Sequence, residues 1–158
     1  MGRIRVGRGR KQQAWGVPRV FEPVLRLWLL RLLVPLGGHQ ELFRSRGGIE
    51  ADILRLAGLR LKPGTELEPE ILRPRLVEAH RRAEAACAGL PPACSLVKNL
   101  QWVAERVGLT PVEQSLLGFV LLAELDPRLA RMIESLGNLS APALERVLSC
   151  VLGVPIHG

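Results

Sequence analysis

His80, Glu84 and Cys87 are the best-spaced group of metal-ligand side chains in the sequence, at i, i+4 and i+7. On an α-helix these positions share one narrow strip. Imidazole, carboxylate and thiolate suit zinc, but a zinc site needs three or four ligands in closed geometry, and a fourth must come from elsewhere. The simpler expectation is a His80–Glu84 polar pair one turn apart on a solvated helix, with Cys87 turned toward the core. No bound metal is therefore expected, and no cofactor.

A second group is basic. Arg3, Arg5, Arg8, Arg10 and Lys11 crowd the amino terminus, and such a cluster binds phosphates without sequence preference and with steep salt dependence. A base-stacking surface interleaves aromatics with the positive charges, and here only Trp15 is near. An Arg/Gly-rich extension without a ligand is the plainer expectation; a small nucleic-acid-associated protein using these five residues is the alternative. A helix-turn-helix is disfavoured, because the would-be recognition helix SAPALERVLSCVLG carries one basic residue, Arg146, and is otherwise mainly apolar.

Other chemistries lack their residues. The sequence has no GxxxxGK[ST] loop, no G-x-G-x-x-G opening a helix after a strand, no G-x-S-x-G elbow and no H-E-x-x-H. A triad has only His39, His80 and His157 to draw on. No catalytic residue is assigned, and the chain by itself is not expected to bind a nucleotide. Cys87, Cys94 and Cys150 are odd in number, at spacings of seven and fifty-six, which fits neither a disulfide framework nor a zinc pattern. Reduced, buried thiols are expected.

The elements that must hold these groups follow from charge and periodicity. The chain has 158 residues and a formal charge of +7, all of it within residues 1–36, which contain eight basic residues and one acidic residue. From Gly37 onward fourteen basic residues face fourteen acidic ones, so the body is neutral. Residues 1–19 lack periodicity and offer little apolar surface to offset ordering, so a disordered basic tail is expected. The run Val24–Leu36 resembles the apolar part of a signal peptide, but Arg26 and Arg31 break it and no small-x-small cleavage site follows. Its thirteen residues fall short of the ~20 that cross a bilayer. A cytoplasmic protein without a transmembrane segment is expected, the peripheral membrane helix being the other reading of these leucines, Trp28 and arginines.

Helical stripes predict an all-α, multi-helix bundle with a C-terminal four-helix unit. Residues 20–60 form an N-terminal helical segment, with helices over Phe21–Leu36, His39–Ser45 and Ile49–Leu56. Residues 61–73 are read as a linker, and residues 74–155 as the helical bundle. A polar helix starts at Pro74, suited to the first turn. Four further helices run from about Ala93, from the capping box Thr110-Pro111-Val112-Glu113, from Asp126-Pro127 and from Ser140. Leu96, Val97, Leu100, Val103 and Val107 form the inward stripe of the first. The second contains SLLGFVLLA, apolar nearly all round, and is expected to be the central, most buried helix.

Residues 24–59 and 95–155 together resemble the region that precedes the ATPase module in a group of large bacterial AAA-family ATPases. The matching positions are Asn99, Leu100, Val103, Ala104, Gly108, Leu109, Thr110 and Glu113, then Asp126-Pro127, then Gly137, Leu139 and Ser140. The resemblance implies a non-catalytic accessory domain, or the product of a truncated gene, that contacts an ATPase module or another protein partner. Family members continue into Walker A and Walker B motifs that hold phosphate and magnesium, which this sequence lacks, so no catalytic residue carries over.

Overall fold

The computed structural model describes residues 4–5, 16–44, 50–62, 66–87, 89–92 and 94–154. After a 3-10 turn at Arg19–Phe21, the helices are α1 (Glu22–Leu33), α2 (His39–Arg44), α3 (Glu50–Leu56), α4 (Pro69–Ala86), α5 (Ser95–Val107), α6 (Pro111–Leu125), α7 (Pro127–Glu134) and α8 (Ala141–Leu152). The fold is an all-α bundle. Extended pairing among the described residues is confined to two short antiparallel segments, β1 (Ile4–Arg5) and β2 (Glu66–Leu67), with Ile4 opposite Leu67 and Arg5 opposite Glu66.

Apolar side chains on most of its circumference make α1 the axis of the bundle. Val24, Leu25, Leu27, Trp28, Leu29, Leu30, Leu32 and Leu33 are all buried, because α3, α4, α7 and α8 each pack against it. This corrects the expectation for the SLLGFVLLA helix. α6 buries Gly118, Phe119 and Leu122, while Val120 and Leu125 remain 46% and 45% exposed. Uniform hydrophobicity says that a helix can be enclosed, but the number of neighbours that reach it decides whether it is. Trp28 of α1 meets Phe119 of α6 edge to face, with centroids 5.2 Å apart at 83°.

α1 stops at Leu33, short of the expected Leu36. Val34 still donates to the Leu30 carbonyl, but Pro35 has no N–H to carry the ladder further, and the Gly38 N–H then donates back to the Leu32 carbonyl at 3.0 Å. That return needs glycine, since a Cβ on Gly38 would sit 2.7 Å from the same carbonyl oxygen and 2.9 Å from Met132 Cε.

The linker expected over 61–73 and the helix start expected at Pro74 are corrected as well. α4 begins at Pro69, which takes the N-terminal proline position, and Pro74 lies inside the helix. An interior proline costs about 3 kcal/mol or more. The extra turn places Leu72 one turn before Leu76, and both are fully buried, each worth about 1.5–3 kcal/mol. Pro74 itself is exposed.

The later helices begin where their caps predict. The Glu113 N–H donates to Thr110 Oγ1 at 3.3 Å, and the Thr110 N–H to Glu113 Oε2 at 2.7 Å, completing the capping box. Asp126, fully buried, accepts the N–H groups of Arg128 and Leu129 at the start of α7. Ser140 occupies the cap position of α8, but its side chain makes no cap hydrogen bond, a correction to its expected role. Gly108 and Gly153 end α5 and α8 in the left-handed conformation.

One apolar core runs from Phe21 to Val151 and includes Leu54, Leu72, Leu122 and Leu129. The end of the expected tail belongs to this folded body: Val17 packs partly buried against the core, and Arg19 opens the 3-10 turn. Among the described residues, no helix is long and apolar enough to cross a membrane.

Candidate functional site

α4 presents His80 and Glu84 on one strip as expected, but the third member of their group is not Cys87. Arg31 reaches from α1 and grips Glu84 at both oxygens, Nε to Oε1 at 2.7 Å and Nη2 to Oε2 at 2.8 Å. Its Nη1 donates to the Val151 carbonyl at 2.7 Å, in the last turn of α8. His80 Nε2 lies 3.0 Å from Glu84 Oε1. One guanidinium therefore joins the first, fourth and last helices, and a cation at a helix C-terminus is favoured by the helix dipole.

The electrostatics follow from that geometry. Its hydrogen bonds to Arg31 hold the Glu84 carboxyl below the usual range. The same hydrogen bonding raises the Arg31 guanidinium against an opposing effect of burial. Cys150, beside this cluster, has its thiol pushed up by burial. Raised thiols are poor nucleophiles and poor metal ligands. Gly153 closes the arrangement, since a Cβ there would meet Arg31 Nη1 at 2.9 Å.

Metal chemistry at His80, Glu84 and Cys87 thus meets a competitor, because both Glu84 oxygens are occupied. Cys87 is half buried, and its Sγ points toward the Gly89 carbonyl at 3.9 Å. Among the described residues no group of three or more His, Cys, Asp or Glu is arranged to hold a metal ion. Cys87, Cys94 and Cys150 are all free and half buried, less enclosed than expected. A shallow cavity of ≈520 Å³ lies over Arg31, His80, Glu84 and Cys150; its charged groups are already engaged with one another.

Of the basic group, Arg3, Arg8, Arg10 and Lys11 lie outside the described residues, as does His157. Arg5 is placed by its backbone alone, opposite Glu66.

The α5–α6 hairpin carries the feature that periodicity missed. Of the predicted inward stripe, Val97 and Leu100 are buried, but Val103 is 36% and Val107 68% exposed. Val112, just past the turn, is also exposed. Trp102 projects on another face of α5, 57% exposed, with the Arg106 guanidinium 4.7 Å from its ring centroid. Single exposed valines are ordinary. Val103, Val107 and Val112 together make an exposed apolar run along one edge of α5 and past the following turn. The stripe is longer than the core beneath it, and only the overhang signals this.

A separate apolar cavity of ≈290 Å³ opens between α1, α6, α7 and α8, with Leu32, Phe119, Ile133 and Leu148 in its walls and Leu144 at its rim. Compared with protein families, curated proteins and solved structures, the chain has no match.

Proposed function

We propose that the chain is a non-catalytic helical accessory domain that works by docking a protein partner. The reading draws on its resemblance to the region preceding the ATPase module of large bacterial AAA-family ATPases. The observation that supports it is the overhanging apolar edge of the α5–α6 hairpin, Val103, Val107 and Val112, where the amphipathic stripe outruns its own core. The partner is an ATPase module or a protein delivered to one.

The DNA that follows the codon for Gly158 names the first partner to try. A reading frame with a Walker A motif is expected there, and its purified product should co-elute with the chain at micromolar concentration. The variant carrying Val103→Glu and Val107→Glu alters exposed positions and should keep the parent melting temperature while losing co-elution. An adjacent sequence without an ATPase module, or co-elution unchanged in the double variant, overturns the proposal.

A further inference from the structure

Between the start of α1 and the end of α3 lies a half-open cavity of ≈540 Å³, within the usual range for small-ligand pockets. Arg26, Arg55 and Arg60 line it, against a single lining carboxylate, Glu22. Leu59, 7% exposed, supplies an apolar floor. From these residues we infer that the cavity is a binding site for a small phosphate-bearing ligand.

The hydrogen-bond donors carry the inference. Each guanidinium has five N–H donors and no acceptor. Arg26 spends one on the Leu56 carbonyl, from Nε at 2.8 Å, and one on Glu22 Oε1, from Nη2 at 3.0 Å. Those two bonds fix the side chain to α1 and α3 at once, so its remaining donors are presented without further ordering cost. Arg55 donates from Nη1 to Asp52 Oδ1 at 2.8 Å and keeps its Nε and Nη2 donors. Arg60 has no ion-pair partner among the described residues. Core packing does not need three arginines at one cleft; with Glu22 paired to Arg26 and Asp52 to Arg55, the third guanidinium, Arg60, leaves the cleft net positive and suited to an anion. A phosphate monoester offers about two charges and three acceptor oxygens, and arginine forks bind such oxygens in pairs. A carboxylate, with two acceptor oxygens, leaves several of these donors unanswered. The site is independent of the hairpin edge and of any P-loop.

Calorimetry of the full chain with inorganic phosphate at low salt tests it, with succinate as the carboxylate comparison. Saturable 1:1 phosphate binding is expected, with succinate clearly weaker. Arg55→Gln and Arg60→Gln should each weaken phosphate binding about tenfold or more, as expected for a lost charge-assisted hydrogen bond. Arg81→Gln, on α4 and paired with Glu78, should leave it unchanged. Glu22→Gln should tighten binding severalfold, a gain that a damaged fold does not produce. Replacing Arg3, Arg5, Arg8, Arg10 and Lys11 with Gln should preserve the 1:1 phase. Absence of saturation, succinate binding as tightly as phosphate, indifference to Arg55→Gln and Arg60→Gln, or loss of binding in the tail variant each overturns the assignment.

Discussion

Arg31→Met isolates the clamp between α1, α4 and α8. Methionine keeps most of the apolar stem and removes three bonds, two to Glu84 and one to the Val151 carbonyl. Bonds to charged groups contribute about 1.5–3 kcal/mol each when shielded. Glu84 is 39% exposed, so solvent screening brings its pair down to about 1 kcal/mol. The Val151 bond is better shielded, at about 1.5 kcal/mol. The sum is about 2.5 kcal/mol, and at roughly 2–4 °C per kcal/mol for a chain of this size the melting temperature should fall by about 5–10 °C. Glu84→Gln removes the ion pair but leaves the Val151 bond, and should cost about 2–4 °C. Because Arg31 depresses the folded-state Glu84 pKa, this stability is present above the unfolded carboxyl value near 4.3 and is lost as pH falls through the lower, folded one. Circular dichroism melts from pH 7 down to pH 3 measure both effects. The wild type should lose an acid-labile increment that Arg31→Met and Glu84→Gln lack. An Arg31→Met melting temperature within about 1 °C of wild type at pH 7, or the same pH dependence in all three proteins, refutes the clamp.

Asp126→Ala should destabilise by about 2–4 kcal/mol in urea unfolding, because it strips the α7 cap and removes the buried carboxylate that Arg128 grips; Asp126→Asn, which keeps an acceptor, should cost less. Leu29→Ala, at a fully buried position of α1, should cost about 2–5 kcal/mol in the same assay through the cavity it opens. Gly153→Ala should lower the melting temperature, since residue 153 is left-handed at φ 69° and its Cβ would press on Arg31. Zinc at tenfold excess should leave the melting curve unmoved; a rise of several degrees would restore His80, Glu84 and Cys87 as a metal site.

Local signals were readable where they are local. Thr110 with Glu113, Asp126 before Pro127, and the glycines at 108 and 153 each determine a helix end through atoms within a few residues of one another. What escaped depends on distant partners. Arg26 and Arg31 look like interruptions of an apolar run, yet each reaches a carbonyl on another helix, thirty residues away for Arg26 and 120 for Arg31. Pro69 and Pro74 both suit a first turn, and the burial of Leu72, a tertiary fact, decides between them. The stripe Leu96–Val107 predicts its own face correctly but not how far the core extends below it. For the same reason His80 and Glu84 were placed on one strip while their actual partner, Arg31, was not.

The placement of α1 has a cost during synthesis. Its leucines are made well before Val151, the acceptor for Arg31, which lies 120 residues later. At roughly 5–20 residues per second a ribosome takes about 6–24 s to cover that distance. Throughout that interval the most buried helix among the described residues is without its last neighbour, and the leucines that α8 covers stay open to water.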